Sequence, residues 1–328
     1  MTGGALEPFG QRLQAAVTTY GPLCAGIDPH PGLLTDWGLD DTVAGLEAFS
    51  MRCVEAFGGH VAVVKPQSAF FERFGSAGVA VLERVLAGLR EAGTLSLLDV
   101  KRGDIGSTME GYAQAYLGPD APLRSDAITA SPYLGYESLR PALDLAAATG
   151  RGVFVLTLTS NPEGPQVQHA VRNGRSVAAS VVAGVTADNE RSAASGASPS
   201  ATVDGVRVGS DTTATAAGED SAEGSADGSH GPRATPAWGS VGMVVGATVG
   251  AAIAQLGLDL AAANAPLLAP GLGAQGATAD DVRRSFGAAL PRVLAASSRD
   301  VLSAGPVPMT LRNRAIEVAD ALRDELRT

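Results

Sequence analysis

Leu95-Ser96-Leu97-Leu98-Asp99-Val100-Lys101-Arg102-Gly103-Asp104-Ile105 begins as an apolar run and ends in charge. Its aliphatic part, residues 95–100, reads as a buried strand. Side chains two apart on a strand share a face. Asp99 and Lys101 are therefore expected to project together from its C-terminal end, with Asp104 in the loop beyond. Outward from this run, short apolar segments recur at 23–27, 61–65, 127–130, 153–158, 241–245, 266–270 and 293–296. Between them lie stretches with apolar residues at three- and four-residue spacing, such as 79–91, 138–148 and 312–326. Strands alternating with helices imply βαβ units and a parallel sheet. Eight strands predict a closed (β/α)8 barrel, the TIM barrel, although a doubly wound open sheet is written by a similar string. Polar groups gather just after the strands: Asp28, Lys65, Asp99 with Lys101, Ser160, Gln275 and Arg299. Barrel active sites are assembled at those strand ends, which favours the barrel.

A chain of 328 residues, 45% hydrophobic, can build one large domain, and 1–328 is read as a single barrel domain. The 41 glycines and 5% aromatics suit tight βα turns and an aliphatic interior. Residues 191–235 depart from the pattern. They are mostly Ala, Ser, Gly, Thr and Asp, with Val203, Val206 and Val208 the only larger aliphatics. So little apolar surface does not offset chain-ordering entropy, so a disordered insertion before the sixth strand is expected, a spacer rather than an interaction tail. The net charge is -10 and no segment concentrates Lys and Arg, which argues against nucleic acid as a partner. No apolar run is long enough for a bilayer and the N-terminus lacks a signal-peptide pattern, so a cytoplasmic protein is expected. Cys24 and Cys53 read as small buried hydrophobes in a reducing compartment. His30, His60, His169 and His230 do not cluster with carboxylates, so no metal site is expected, and no dinucleotide fingerprint opens a βαβ unit.

Three constellations carry chemistry. Lys65 ends the second strand and is expected beside Asp99, interleaving two ammonium groups with carboxylates that stabilise their charged forms. A salt-bridge network closing the barrel end is the plainer reading. Asp99, Lys101 and Asp104 within six residues at the end of an apolar strand favour a functional one. Pro270-Gly271-Leu272-Gly273-Ala274-Gln275-Gly276 after strand seven and Ser297-Ser298-Arg299 after strand eight occupy the recurrent phosphate position of this fold. Asp28, in Gly26-Ile27-Asp28-Pro29, is equally suited to accept from ribose hydroxyls and to cap a turn. Ser160-Asn161-Pro162 reads either as part of a polar ring or as a turn before a helix.

Asp99-Val100-Lys101-Arg102-Gly103-Asp104-Ile105-Gly106-Ser107-Thr108 resembles the DxKxxDI signature of the orotidine 5′-phosphate decarboxylases. Its longer wording from Lys101 is similar to the longer bacterial branch, the type 2 subfamily. Further matching stretches start at Gly26, Val64, Thr159, Val244, Pro270 and Ser298, covering the chain except 191–235. The resemblance implies cofactor-free, metal-free conversion of orotidine 5′-monophosphate to UMP and carbon dioxide, the last step of de novo pyrimidine synthesis. It implies a catalytic tetrad of Lys65, Asp99, Lys101 and Asp104, with Lys101 protonating C6. It also implies a homodimer in which Asp104 and Thr108 serve the neighbouring subunit's site. Asp28 and Lys65 would meet the ribose, Ser160 the pyrimidine (with Thr157 and Thr159 close by), and Gln275 with Arg299 the phosphate. Two alternatives are a magnesium-dependent keto-sugar-phosphate decarboxylase with the same DxKxxD core and a nucleotide-binding barrel without catalysis. Lys65 stands where the magnesium enzyme would be expected to carry a carboxylate.

Overall fold

The computed structural model describes residues 6–196, 236–271 and 279–327. Eight parallel strands close into a barrel in sequence order: β1 (Leu23–Ile27), β2 (Val63–Pro66), β3 (Leu95–Arg102), β4 (Ala127–Ala130), β5 (Gly152–Leu158), β6 (Val241–Val245), β7 (Leu267–Pro270) and β8 (Val293–Ser297), with β8 pairing back onto β1. The eight segments expected from the apolar runs are these strands, with ends moved by two residues at most. The closed ring excludes the doubly wound sheet. Helices cover the outside, including Gly75–Glu91, Arg140–Ala148 and Pro308–Arg327. The helix preceding β6, Val177–Gly196, runs into the segment read as an insertion, so residues 191–196 are helical. The remainder, 197–235, lies outside the described residues, as does Gln275.

The two-residue period of each strand sorts the core into two bodies. One residue set, including Leu23, Ala25, Ile27, Leu98, Val100, Ile128, Val153 and Val155, faces the helices. The alternate set fills the barrel itself: Cys24, Val63, Leu97, Ala127, Phe154, Val244, Leu268 and Leu294, one from each strand. Phe9, Leu13 and Trp238 close this interior from below. Phe9 meets Phe154 edge to face, with centroids 6.0 Å apart and planes at 84°. The helix Phe9–Tyr20 reaches this position because Gly10 lets its backbone pass the Trp238 carbonyl; a Cβ there would sit 2.1 Å from that oxygen. Cys24 and Cys53 are both free and buried, as expected.

One step above the apolar interior layer, the same inward positions carry Lys65, Asp99 and Thr129. The barrel floor is thus dry and aliphatic, and its mouth is ionic. Phe154→Ala should remove the largest plug of that floor and lower the unfolding free energy by about 3–5 kcal/mol, read as a lower urea midpoint.

Candidate active site

At the mouth, Lys65 Nζ lies 3.2 Å from Asp99 Oδ2, 3.1 Å from Gln67 Oε1 and 3.8 Å from Asp28 Oδ1. Lys101 Nζ lies 2.6 Å from Asp99 Oδ1, and the Thr129 hydroxyl donates to that same oxygen at 2.7 Å. Lys65 and Asp99 are 7% and 8% exposed, whereas the Lys101 side chain is half-open to the cavity. Burial alone would pull the Lys65 pKa down, but Asp28 and Asp99 outweigh it and hold the ammonium above its ordinary value. Burial likewise opposes ionisation of Asp99, yet Lys65, Lys101 and Thr129 together keep its carboxyl below the usual range. Beneath them, burial pushes the Cys24 thiol up to about 12, so it stays a neutral spacer.

The pairing of Asp99 with Lys101 lies at a break in the sheet. Strands β3 and β4 pair at Leu98 with Ile128 and next at Arg102 with Ala130, so β3 spends extra residues on the step. Such a bulge re-aims side chains beside a site. Inside it Lys101 adopts a left-handed backbone, φ +45°, a conformation that costs a non-glycine residue on the order of 1–3 kcal/mol. Its N–H donates to Thr129 Oγ1 at 2.9 Å. On the far side, Gly26 allows β1 to pass the loop after β8: a Cβ there would lie 1.9 Å from Ser298 Oγ.

These groups open onto a cavity of about 340 Å3 whose opposite wall is Pro270, Gly271 and Ser297 to Arg299. Of the expected residues, the cavity gathers Asp28, Lys65, Asp99, Lys101 and Arg299. Its wall near strand five is formed by Thr159, while Ser160 sits on the exposed loop beyond. Asp104 and Thr108 lie outside this cavity. Asp104 accepts the Ile105 N–H at 2.8 Å, and Thr108 is exposed on the helix Gly106–Leu117. Next to them Ile105, Tyr133 and Leu134 are 62%, 76% and 52% exposed. Asp28 Oδ1 is buried and accepts no hydrogen bond among the described residues, with only the Lys65 ion-pair contact at 3.8 Å beside it. Gln67, His30 and Thr129 were not anticipated. Gln67 and Thr129 each carried a signal, since both are polar residues at inward positions of otherwise apolar strands or their extensions.

Comparison with known proteins bears on this geometry. The family model for "Orotidine 5'-phosphate decarboxylase / HUMPS family" matches residues 21–231. The orotidine 5′-phosphate decarboxylase of Salinispora arenicola is 54% identical over 314 residues, 95% of this chain and 96% of that protein. The chain belongs to the orotidine 5′-phosphate decarboxylase / HUMPS family. The enzyme of the same description from Streptomyces coelicolor is 51% identical, covering 98% of both chains. A crystal structure from Streptomyces avermitilis is 50% identical with TM-score 0.82, covering 100% of this chain and 99% of that one. Among the described residues, no group of three or more His, Cys, Asp or Glu is arranged to hold a metal ion. No helix among them is long and apolar enough to cross a membrane.

The electrostatics of this family member make its stability pH-dependent at the mouth. A carboxyl depressed by folding adds stability that is complete above its unfolded pKa, about 3.9, and is lost as pH falls through the folded value. The raised Lys65 contributes fully below its ordinary ammonium value and loses that contribution only above the raised one. In urea unfolding below about pH 4, Asp99→Asn should therefore show a shallower loss of stability with falling pH than the unaltered protein.

Proposed function

We propose that this protein decarboxylates orotidine 5′-monophosphate to UMP and carbon dioxide, the closing step of de novo pyrimidine synthesis, within the longer bacterial branch of its family. The observation that carries this reading is the Lys65–Asp99–Lys101 chain of charges set in a cavity whose other wall ends in Arg299. The near-full-length match to bacterial relatives named for this activity supports it.

The chemistry asks for this arrangement. When the C6–carboxylate bond breaks, its electron pair stays on C6 in the ring plane, where the π-system cannot take it up. A cation must face that carbon and then supply a proton. Lys101 does both: its ammonium stabilises the developing charge, and one N–H bond breaks as the C6–H bond forms. The amine left behind regains its proton from solvent. Asp99 lies beside the departing carboxylate, and its pairing with two ammoniums keeps it ionised and in place. Asp28, whose Oδ1 accepts no hydrogen bond among the described residues, accepts from a ribose hydroxyl, with Lys65 alongside. Arg299 takes the phosphate together with Gln275, and binding energy gathered there holds the ring at Lys101. The pyrimidine edge meets Ser160 or the adjacent Thr159. Cofactor and metal play no part in this sequence of steps: Lys65 supplies the positive charge between Asp28 and Asp99.

Asp104 and Thr108 serve a second subunit's site. Their position outside the cavity, beside exposed Ile105, Tyr133 and Leu134, supports a homodimer joined across this face. The loops after β3 and β4 that build it are tied by a Ser131 N–H to Arg102 carbonyl bond of 2.8 Å.

Lys101→Ala should lower turnover of orotidine 5′-monophosphate by at least about 100-fold in a spectrophotometric assay. Exhaustive chelation should leave wild-type turnover unchanged; loss of activity on chelation would favour the magnesium-dependent alternative. Mixing inactive Lys101→Ala and Asp104→Ala proteins after subunit exchange should restore about a quarter of wild-type activity, because half the dimers then hold one intact site. No recovery would place Asp104 in its own subunit's site.

A further inference from the structure

Thr129 is the third residue of β4, is 1% exposed, and belongs to no motif of the chain. Its hydroxyl nevertheless holds both ends of the Asp99–Lys101 unit. In the β3 bulge Lys101 is out of register with β4, and the Thr129 oxygen accepts its N–H at 2.9 Å. The single proton of that hydroxyl then goes to Asp99 Oδ1 at 2.7 Å, the oxygen that also takes the Lys101 ammonium at 2.6 Å. A hydroxyl has one proton to give. With its acceptor side turned to the amide, it stabilises Asp99 Oδ1 only as an unprotonated oxygen. One side chain thus bonds both the left-handed backbone at Lys101, φ +45°, and the carboxylate oxygen that takes its ammonium.

We infer that Thr129 is a positioning residue for the proton transfer, acting through the Lys101 backbone and the Asp99 carboxylate. The inference rests on the decarboxylase reading given above. Valine fits the same space but offers neither bond. Thr129→Val leaves the Lys101 N–H and Asp99 Oδ1 each short of a partner, in a site where small misplacement is costly. Asp99 is faced by Lys65 from β2, by Lys101 from its own strand and by Cys24 from β1, with Asp28, just after β1, against Lys65 and Arg299 in the wall of the same cavity. Removing the Thr129 proton from this set makes Asp99 easier to protonate.

The experiment measures kcat and KM for orotidine 5′-monophosphate against pH in wild type, Thr129→Val and Thr129→Ser, with thermal unfolding recorded alongside. For Thr129→Val the expected result is a kcat lower by about 10- to 100-fold with KM nearly unchanged, and an acid limb of the kcat profile moved to higher pH. Thr129→Ser, which keeps the hydroxyl, should recover most of the rate and the wild-type limb. If the valine variant does not fold, Thr129→Ala against Thr129→Ser makes the same comparison. A valine or alanine variant with wild-type kcat and pH profile overturns the inference, whatever its melting temperature. So does a serine variant as impaired as the valine one, which would assign the effect to the methyl group. Failure of wild type itself to turn over the substrate would overturn the functional reading instead, so the two failures are told apart by the control.

Discussion

A carboxylate buried in the mouth of an aliphatic barrel must find partners, and Asp99 finds three. Lys65, Lys101 and Thr129 close around it, and Asp28 and Gln67 complete the shell of Lys65. Desolvating such groups costs several kcal/mol per ion, and well-packed apolar residues of similar volume often do as well or better for stability. Removing one partner leaves the others uncompensated. The cluster is therefore a poor device for holding a barrel together, which favours the functional reading proposed for it. The same low-dielectric surroundings that make it costly strengthen its field at the substrate.

The rest of the fold serves that constraint. The apolar layer of Cys24, Val63, Leu97, Ala127, Phe154, Val244, Leu268 and Leu294 keeps water away from the underside of the charges, and the N-terminal helix seals it with Phe9 and Leu13. Above, close backbone approaches at Gly26 and Gly103 draw neighbouring loops together; a Cβ at Gly103 would meet the Ser131 carbonyl at 2.2 Å. The β3 bulge then converts a straight strand end into a turn that leaves Lys101 pointing into the cavity while Asp104 departs outward. A single loop thereby supplies one residue to its own cavity and another to the outer face.

The barrel was legible from the chain because strand burial writes itself as apolar runs, and parallel strands need helices between them. The ionic mouth was legible for a related reason. An aliphatic strand that continues its inward alternation into Asp99 and Lys101, and a second that ends in Lys65, have few structural reasons to do so. Arg299 followed from position, at a strand end of a fold that builds its sites there, whereas position left Asp28 equally suited to capping a turn. Local sequence determines these things because each depends on the periodicity of one segment or on the order of segments.

Tertiary structure decided what depends on two segments at once. The plain two-residue alternation anticipated Asp99 and Lys101 on one side, but their contact sits at a register break against β4 with a left-handed backbone, neither of which β3 encodes in its own pattern. Thr129 showed only as a polar residue on an apolar strand, because its hydroxyl finds its partners only opposite that break. The contacts of Lys65 with Gln67 and Asp28 became evident only once β1 and β2 were brought side by side. Thr159 lines the cavity while Ser160 sits on the exposed loop beyond it, a distinction that the local pattern of β5 does not draw. Periodicity, in short range along the chain, determined which residues face inward; the closing of the barrel decided which of them touch, because contact distance is a property of neighbouring strands and not of either alone.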